Sequence, residues 1–566
     1  MPATAIIEWT PTVLGSLLGA CSKQRSLNMG RSIHANILKR VPLLDSDLYV
    51  RNHLVNLYAK CNKLDWAHRL FDEMSTRNTV SWTALISAYD QFGNADGALK
   101  LFLLMVSQDP FSPPNQFTYA SAISACAKQQ LQFQGIQLHC HALKRGFLAH
   151  ILVSNVLISL YMACRRAFEA EMVFNEIIQP DQVSWNSLVS GFSQNGFLQT
   201  ALEKFCMMRE SGVRISCFSL SAAISSTLDD ETEGKKFHGL AIKTGLNSNC
   251  FTGCTMIRMY SKFKNMEDAL VVFAEIGLKD VSSWNSLIEG YGGSGQGEGG
   301  LQVFAAFMES ELQPDEITMT TVLGICTNLV LLDYGKQVHS LGVKMCLDGK
   351  IRVENSLINM YSECGNLEDG LKIFELMKER SLISWTTMMG GLAHHGRAMD
   401  VIHLFQEMIR EGLKPNNITY TCVLSACSHG GLVDIGQSVF YAMEIEPERD
   451  HLVCMVHLLA GGRRFKEAKE FIQGSPAEHR DSLWLTFLVA CKNLGELERG
   501  IEVADKIMKT GYPTEPLALV LLSNVFAAAG RWEYVQKLRK EMKDRGMRKE
   551  PGCSWLQVGD NNEVLI

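Results

Sequence analysis

The sequence predicts an all-α solenoid, a right-handed superhelix of helical hairpins, and three periodic sets of residues carry that prediction. Trp82, Trp185, Trp284 and Trp385 recur at steps of 103, 99 and 101 residues. Tyr58, Tyr161, Tyr260 and Tyr361 keep the same steps, and so do Asn52, Asn155 and Asn355, with Cys254 in the remaining slot. His34, His139, His238 and His339 follow at 105, 99 and 101. A period of about one hundred is too long for one supersecondary unit, so each period must hold smaller repeats stacked as an array.

Each period divides into three units of about 35, 35 and 31 residues, running from near Pro11 to Asp481. One opens with a Ser-Trp pair, as in 182-QVSWNSLVSGFSQNG-196. The next opens polar-aromatic, as in 116-QFTYASAISACAK-128, and later carries Gly135 and His139 as Gly-x-x-x-His. The third holds Asn-x-Leu-x-x-x-Tyr or a close variant, as in 52-NHLVNLY-58. Within a unit the apolar spacing is helical: Val401, Leu404, Phe405 and Met408 fall at i, i+3, i+4 and i+7, as do Ala67, Leu70, Phe71 and Met74. A Gly or Asn near mid-unit (Gly93, Gly196, Gly396) separates two helices, and Pro or Asp closes the second, as at Pro314-Asp315 and Pro415-Asn416. Every unit is then a helical hairpin whose apolar face its neighbours must bury.

Composition agrees. Hydrophobic residues make up 46% of the 566, ample for a core and too much chain for one compact domain. Of the 17 cysteines, Cys21, Cys126, Cys326 and Cys427 occupy one repeat position, with Thr227 in the remaining copy. They read as small buried apolar residues in a reducing compartment rather than as a disulfide framework. No apolar run reaches the length of a membrane span, and 517-LALVLLSNVFAAAG-530 suits a core helix. The repeated histidines stand about one hundred residues apart, too far along a solenoid to share an ion, so they read as packing residues. His139-Cys140-His141 is no ligand pair either, because residues i and i+2 of a helix diverge. The net charge of -6 gives no support to nucleic-acid binding. Local charge matters more, and Lys39, Lys144, Lys243 and Lys344 each lie five residues after the repeated histidine. They suit a row along a phosphate backbone or simply solvated helix ends.

Ser-Trp-Asn/Thr, Leu/Met-Tyr-x-Lys/Glu-Cys and Gly-x-x-x-His-x-x-x-x-Lys resemble the P, S and L units of the plant pentatricopeptide repeat family. The resemblance covers nearly the whole chain, with about fourteen repeats. Residues 417-NITYTCVLSACSHGGLVDIGQ-437 and 451-HLVCMVHLLAGGRRFKEAKEF-471 resemble the last L and S units before a C-terminal extension. Residues 482-SLWLTFLVACKNLGELERG-500 and 520-VLLSNVFAAAGRWEYVQKLRKEMKDRGMRKEPGCSW-555 look like the paired extension motifs of the family's organellar RNA-editing branch. The expected organisation is an N-terminal segment with a first L-type repeat (1–47), tandem S, P and L repeats (48–481), and two extension motifs (482–515 and 516–566).

The resemblance implies that each repeat reads one base of single-stranded RNA. The selecting residues are the fifth of the repeat, on the first helix, and the last, in the loop before the next repeat. Here the pairs are Asn52/Asn78, Thr83/Asn115, Asn155/Asp181, Asn186/Ser216, Asn285/Asp315, Asn355/Ser381 and Thr386/Asn416. An amide or hydroxyl supplies the donor and acceptor that a Watson–Crick edge needs. By family analogy Asn with Asp favours U, Asn with Ser or Asn favours C, and Thr with Asn favours A. Ala120/His150 and Thr320/Lys350 match no informative pair, and Cys254/Asp280 departs from the expected Asn. In parallel orientation the repeats from Asn52 to Thr386 spell, 5′ to 3′, C/U, A, any, U, C, any, U/G, U, any, C, A. Val80, Val183 and Ile383 should flank the bases as apolar wedges, with Ser282 departing from that pattern.

No catalytic or metal-ligating set is expected, and no cofactor. A zinc deaminase of nucleobases needs H-x-E and P-C-x-x-C, and neither occurs. The nearest pair, Cys250 and Cys254, falls in a repeat helix. The Gly-rich 290-GYGGSGQGEGG-300 falls at a hairpin turn and lacks the Gly-Lys-Ser/Thr ending of a P-loop. The family's longer editing proteins continue past the 551-PGCSW-555 stretch into a deaminase-like domain, where this sequence ends. The resemblance therefore implies a non-enzymatic editing factor that selects a cytidine for a deaminase acting in trans, together with other editing-complex proteins. Trp532 and Trp555 are the expected partner-binding residues. A helical protein-binding scaffold is the reading from another class, and transcript splicing or stabilisation another within RNA binding. The family works in mitochondria and plastids, yet residues 1–22 carry no Lys or Arg and include Glu8, unlike a transit peptide.

Overall fold

The computed structural model describes residues 10–40, 47–108, 111–227, 230–510 and 516–545. Among them lie 32 α-helices and two short 3-10 turns, with no strand. Most helices are 13 or 14 residues long and come in pairs joined by a two- or three-residue turn, as in Gln182–Gln194 and Leu198–Glu210. The turns need one left-handed residue. Glycine supplies it at Gly196 (φ 82°) and Gly396 (φ 71°), where no Cβ crowds the following carbonyl. In other hairpins Asn62, Arg165 and even the β-branched Val330 (φ 56°) take the same conformation, so the turn is imposed by packing where the sequence does not favour it.

The chain divides into two units, Met1–Ser283 and Trp284–Ile566. Within each, first helices of successive hairpins pack against one another, and each second helix packs against its own first helix and the next one. In the first unit the continuous core runs from Leu14 to Met208. In the second it runs from Ile358 to Leu538 and takes in two C-terminal hairpins, Arg480–Asn493 with Leu497–Thr510 and Pro516–Ala528 with Trp532–Asp544. Helix Pro516–Ala528 buries Ala518, Leu519, Leu522, Val525 and Phe526, as its apolar run predicts. No helix of the described residues is long and apolar enough to cross a membrane.

The periodic residues turn out to be halves of shared contacts. The glycine of each Gly-x-x-x-His receives the Leu or Met that precedes the repeated tyrosine of the next first helix. A Cβ at Gly135 would stand 2.5 Å from Leu160 Cδ2, and one at Gly335 would stand 2.4 Å from Met360 Sδ. The histidine four residues on then meets that tyrosine. His34, His139, His238 and His339 place Nδ1 2.9, 2.7, 2.8 and 2.9 Å from the hydroxyls of Tyr58, Tyr161, Tyr260 and Tyr361. Burial holds His139 and His339 below the ordinary imidazole value, so they stay neutral and share one proton with the phenol. His141 turns the other way, to the Tyr119 hydroxyl at 2.7 Å, which separates it from His139. The packing reading of the histidines holds.

Gly135→Ala is expected to lower stability by about 1–3 kcal/mol through overpacking. Tyr161→Phe, which leaves His139 without its partner, is expected to cost about 1 kcal/mol. Urea denaturation midpoints check both.

The tryptophans pack edge-on against a phenylalanine of the preceding second helix, with centroid separations of 4.8 Å for Trp82–Phe71, 4.6 Å for Trp185–Phe174 and 5.0 Å for Trp385–Phe374. Trp284 meets Phe307 of its own hairpin, at 5.6 Å. Cys21, Cys126, Cys326 and Cys427 are buried and free, and burial pushes the Cys126 and Cys326 thiols up to about 12. Such thiols are inert at neutral pH. The glycine-rich stretch at 290–300 forms the turn between Val281–Gly293 and Gly297–Met308, as expected.

Candidate nucleic-acid interface

All seven expected fifth-position residues lie on first helices, one turn in from the N-terminus. The loop residues have a local role that their spacing had not suggested. Asn78, Asn115, Asp181, Ser216, Asp315, Ser381 and Asn416 are each the N-cap of the next first helix. Each forms a capping box with the Ser or Thr three residues on, satisfying amides that the helix itself leaves unpaired. Asp315 and Asn416 therefore open the following helix rather than close the preceding one, which corrects the reading of Pro314-Asp315 and Pro415-Asn416 as stop signals. The uninformative pairs lack this feature: His150 and Lys350 begin their helices without a side-chain cap.

Capping brings the loop residue against the fifth residue of its own repeat. Asn155 Nδ2 donates to Asp181 Oδ1 at 3.2 Å, while Ser184 Oγ donates to Asn155 Oδ1 at 2.6 Å and to Asp181 Oδ1 at 2.8 Å. The Asn285, Asp315 and Thr318 triad repeats this, with Asn285 Nδ2 3.0 Å from Asp315 and the Thr318 hydroxyl 2.7 Å from Asn285 Oδ1. Asn52 Nδ2 donates to Asn78 Oδ1 at 3.4 Å, and Ser216 Oγ donates to Asn186 Oδ1 at 2.8 Å. Thr83 reaches Asn115 through the Thr118 hydroxyl, 2.7 Å from Thr83 Oγ1 and 3.0 Å from Asn115 Oδ1. Two pairs do not bond. Asn355 Oδ1 is buried without a partner, and the Thr386 hydroxyl donates to the carbonyls of Leu382 and Ile383 in its own helix.

The bonds fix which atoms remain for a ligand. In the Asn/Asp repeats the amide orientation is set by the capping hydroxyl, leaving one amide hydrogen and one carboxylate oxygen outward. Burial alone would push the Asp181 and Asp315 carboxyls up. The donors from Ser184 and Asn155, and from Thr318 and Asn285, outweigh it and hold both below the usual carboxylate value. A folded carboxyl that binds its proton less tightly than the unfolded one adds stability above the unfolded value, near 3.9, and loses it as pH falls through the folded value. Acid unfolding of wild type is therefore expected to be steeper below about pH 4 than that of the double variant Asp181→Asn, Asp315→Asn, in which Asn keeps the caps. Circular dichroism against pH checks this.

Around these pairs runs a row of exposed apolar residues, each the second of its first helix. Val80, Val183 and Ile383 are in it as expected, and Ser282 and Arg352 interrupt it. The row also holds Tyr49, Phe117, Leu152, Phe218, Phe251, Ile317 and Ile418, which no sequence motif singles out, although their shared place two residues after the N-cap is a signal that finds them. Thr83, Asn115, Val80, Phe117 and Leu152 line one open groove of about 570 Å³. Lys39, Lys144, Lys243 and Lys344 stand elsewhere, exposed at the ends of second helices. There they offset the helix dipole and do not share the helices of the seven capped pairs. Trp532, the first residue of its helix, is 61% exposed. Trp555 lies outside the described residues.

These features define a tandem array of capped helical hairpins. The model described as "PPR repeat" matches residues 49–79, 80–109, 153–179, 183–213, 254–281, 282–311, 355–382 and 418–446, that of the "PPR repeat family" matches 380–429, and the "E motif" matches 495–557. The pentatricopeptide repeat-containing protein At2g33680 of Arabidopsis thaliana is 32% identical over 559 residues, covering 98% of this chain and 76% of that one. Two further Arabidopsis thaliana relatives are At3g02330, mitochondrial (33%, covering 98% of this chain and 64% of that one), and At3g49170, chloroplastic (35%, 96% and 65%). The chain belongs to the pentatricopeptide repeat family and carries its E motif. Among solved structures, that of the pentatricopeptide repeat protein PPR10 in complex with an 18-nt psaJ RNA element aligns over 96% of this chain and 83% of that one, at 18% identity and a TM-score of 0.47.

Proposed function

We propose that this chain binds single-stranded RNA in a sequence-specific manner and selects a site on an organellar transcript for cytidine-to-uridine editing. The deaminase acts in trans, so the chain itself is the address and not the enzyme. The observation that carries the reading is the set of capped pairs: five of the seven hold a fixed arrangement of donors and acceptors on a first helix, and five stand beside an exposed apolar residue. A base edge needs the first and a base face the second. The E motif at 495–557 supports editing over transcript splicing or stabilisation. The mitochondrial and chloroplastic designations of relatives support an organellar location; the mitochondrion is the compartment proposed, with the chloroplast as the alternative.

Each base must leave its stack to meet a repeat, so a complementary strand should compete with binding. An RNA oligomer spelling the predicted register is expected to bind as a single strand, with affinity falling at least tenfold when it is annealed. Equal affinity for strand and duplex in a filter-binding titration overturns the proposal. Tighter capture of extended peptides than of RNA would establish the protein-binding scaffold instead.

A further inference from the structure

The repeat at Cys254 departs from its neighbours in a way that changes what it offers a ligand. Its loop residue, Asp280, accepts from Ser283 N at 2.9 Å, as the other caps do. The fifth residue does not hold it. The first residue of the helix does: Cys250 Sγ donates to Asp280 Oδ1 at 2.9 Å and stands 3.8 Å from Cys254 Sγ. Burial and the Asp280 carboxylate together push the Cys250 thiol up to about 12, so it stays protonated and remains a donor. The Ser283 hydroxyl, whose counterparts Ser184 and Thr318 donate to the fifth-position Asn, here donates to the Asp280 carbonyl at 2.7 Å. Asp280 is exposed, whereas Asp181 and Asp315 are only half-exposed.

Three chemical consequences follow. The outward amide hydrogen of the Asn/Asp repeats is gone, because Cys254 has only a weak thiol donor. The outward carboxylate oxygen remains, anchored by Cys250. Space is larger, since Cys replaces Asn at the fifth position and the second residue of the following first helix is Ser282, where other first helices have a Val or Ile. On the other side the exposed Phe251 ring provides a flat wall.

We infer that this repeat selects guanine, through Asp280 as acceptor and Cys250 as its positioning residue, a conclusion that rests on the RNA-reading function proposed above. An anionic acceptor without a neighbouring donor suits an edge with adjacent donors. Guanine presents N1–H beside N2–H₂. Adenine and cytosine each place a ring-nitrogen lone pair beside their amino group, against the carboxylate. Uracil offers a single N3–H between two carbonyls that nothing here would satisfy, and an unmet acceptor costs affinity. The larger purine face also gains more from stacking on Phe251 in the widened slot.

The test is an array of RNA oligomers spelling the predicted register, with all four bases at the Cys254 slot and, separately, at the next slot, read by Asn285/Asp315. Guanine is expected to bind about tenfold tighter than uracil at the first, and uracil to be preferred at the second. Cys254→Asn should restore the outward amide and turn the first slot to uracil. Cys250→Ala should reduce the guanine preference and Cys250→Ser, which keeps a donor, should retain it, while neither changes the uracil preference next door. Uracil preference or indifference at the Cys254 slot, with uracil still chosen at the neighbour, overturns the inference and leaves the function standing. Indifference at both slots overturns the function itself.

Discussion

Removal of residues 482–566 is expected to leave RNA affinity within about threefold of the full chain and to abolish editing in a reconstituted assay. The capped pairs end at Asn416, so the deleted segment contains none of the residues proposed to meet bases. Helix Arg480–Asn493 does pack on Arg449–Gly461, and truncation uncovers part of that helix's apolar surface. In a stack, each hairpin depends mainly on its immediate neighbours, so the damage should stay local to the last repeat. The point variant Trp532→Ala provides the test that does not disturb folding. Trp532 is 61% exposed at the start of its helix, and its loss removes an aromatic anchor without opening a core. A circular dichroism spectrum equal to wild type, unchanged RNA affinity and loss of editing would place the deaminase partner on the extension. Editing by the truncated chain, or by the isolated protein with no partner added, would reverse this division of labour.

The array was legible in the sequence because a solenoid has no way to hide its period: every hairpin must present the same apolar face to the next. The site was legible only in part. Asn155 and Asp181 could be paired through the family resemblance, yet the physical link between them, the capping hydroxyl of Ser184, comes from the hairpin geometry. Asp315 and Asn416 read as stop signals in the sequence because a polar residue after a helix suits an end as well as the next beginning. The histidine–tyrosine contacts show the same limit. His139 and Tyr161 each announced a period, but 22 residues separate them in the chain and only the stacking of hairpins brings them to 2.7 Å. In the sequence Cys250 reads only as half of a cysteine pair within a repeat helix, because its partner carboxylate lies 30 residues away.

The change of Thr386 to Asn and Asn416 to Asp together is expected to turn the preference of that repeat from adenine to uracil, by about an order of magnitude in relative affinity, or 1.4 kcal/mol. The geometry already holds the third member of the triad. Thr419 occupies the place of Thr318, three residues after the cap, and its hydroxyl now donates to Asn416 Oδ1 at 2.8 Å. In the Asn285 repeat the same hydroxyl reaches both the fifth-position amide oxygen and the cap carboxylate. The double substitution therefore rebuilds a complete Asn, Thr and Asp set without moving the backbone. Asp serves the N-cap as well as Asn does. The present Thr386 hydroxyl is spent on carbonyls of its own helix, so its replacement breaks no bond between repeats. Thr386→Asn alone should weaken adenine without securing uracil, because the amide then faces Asn416 rather than a carboxylate. A double variant that loses affinity equally for all four bases would assign Thr386 and Asn416 to packing and capping alone, and would shift the reading register away from these positions.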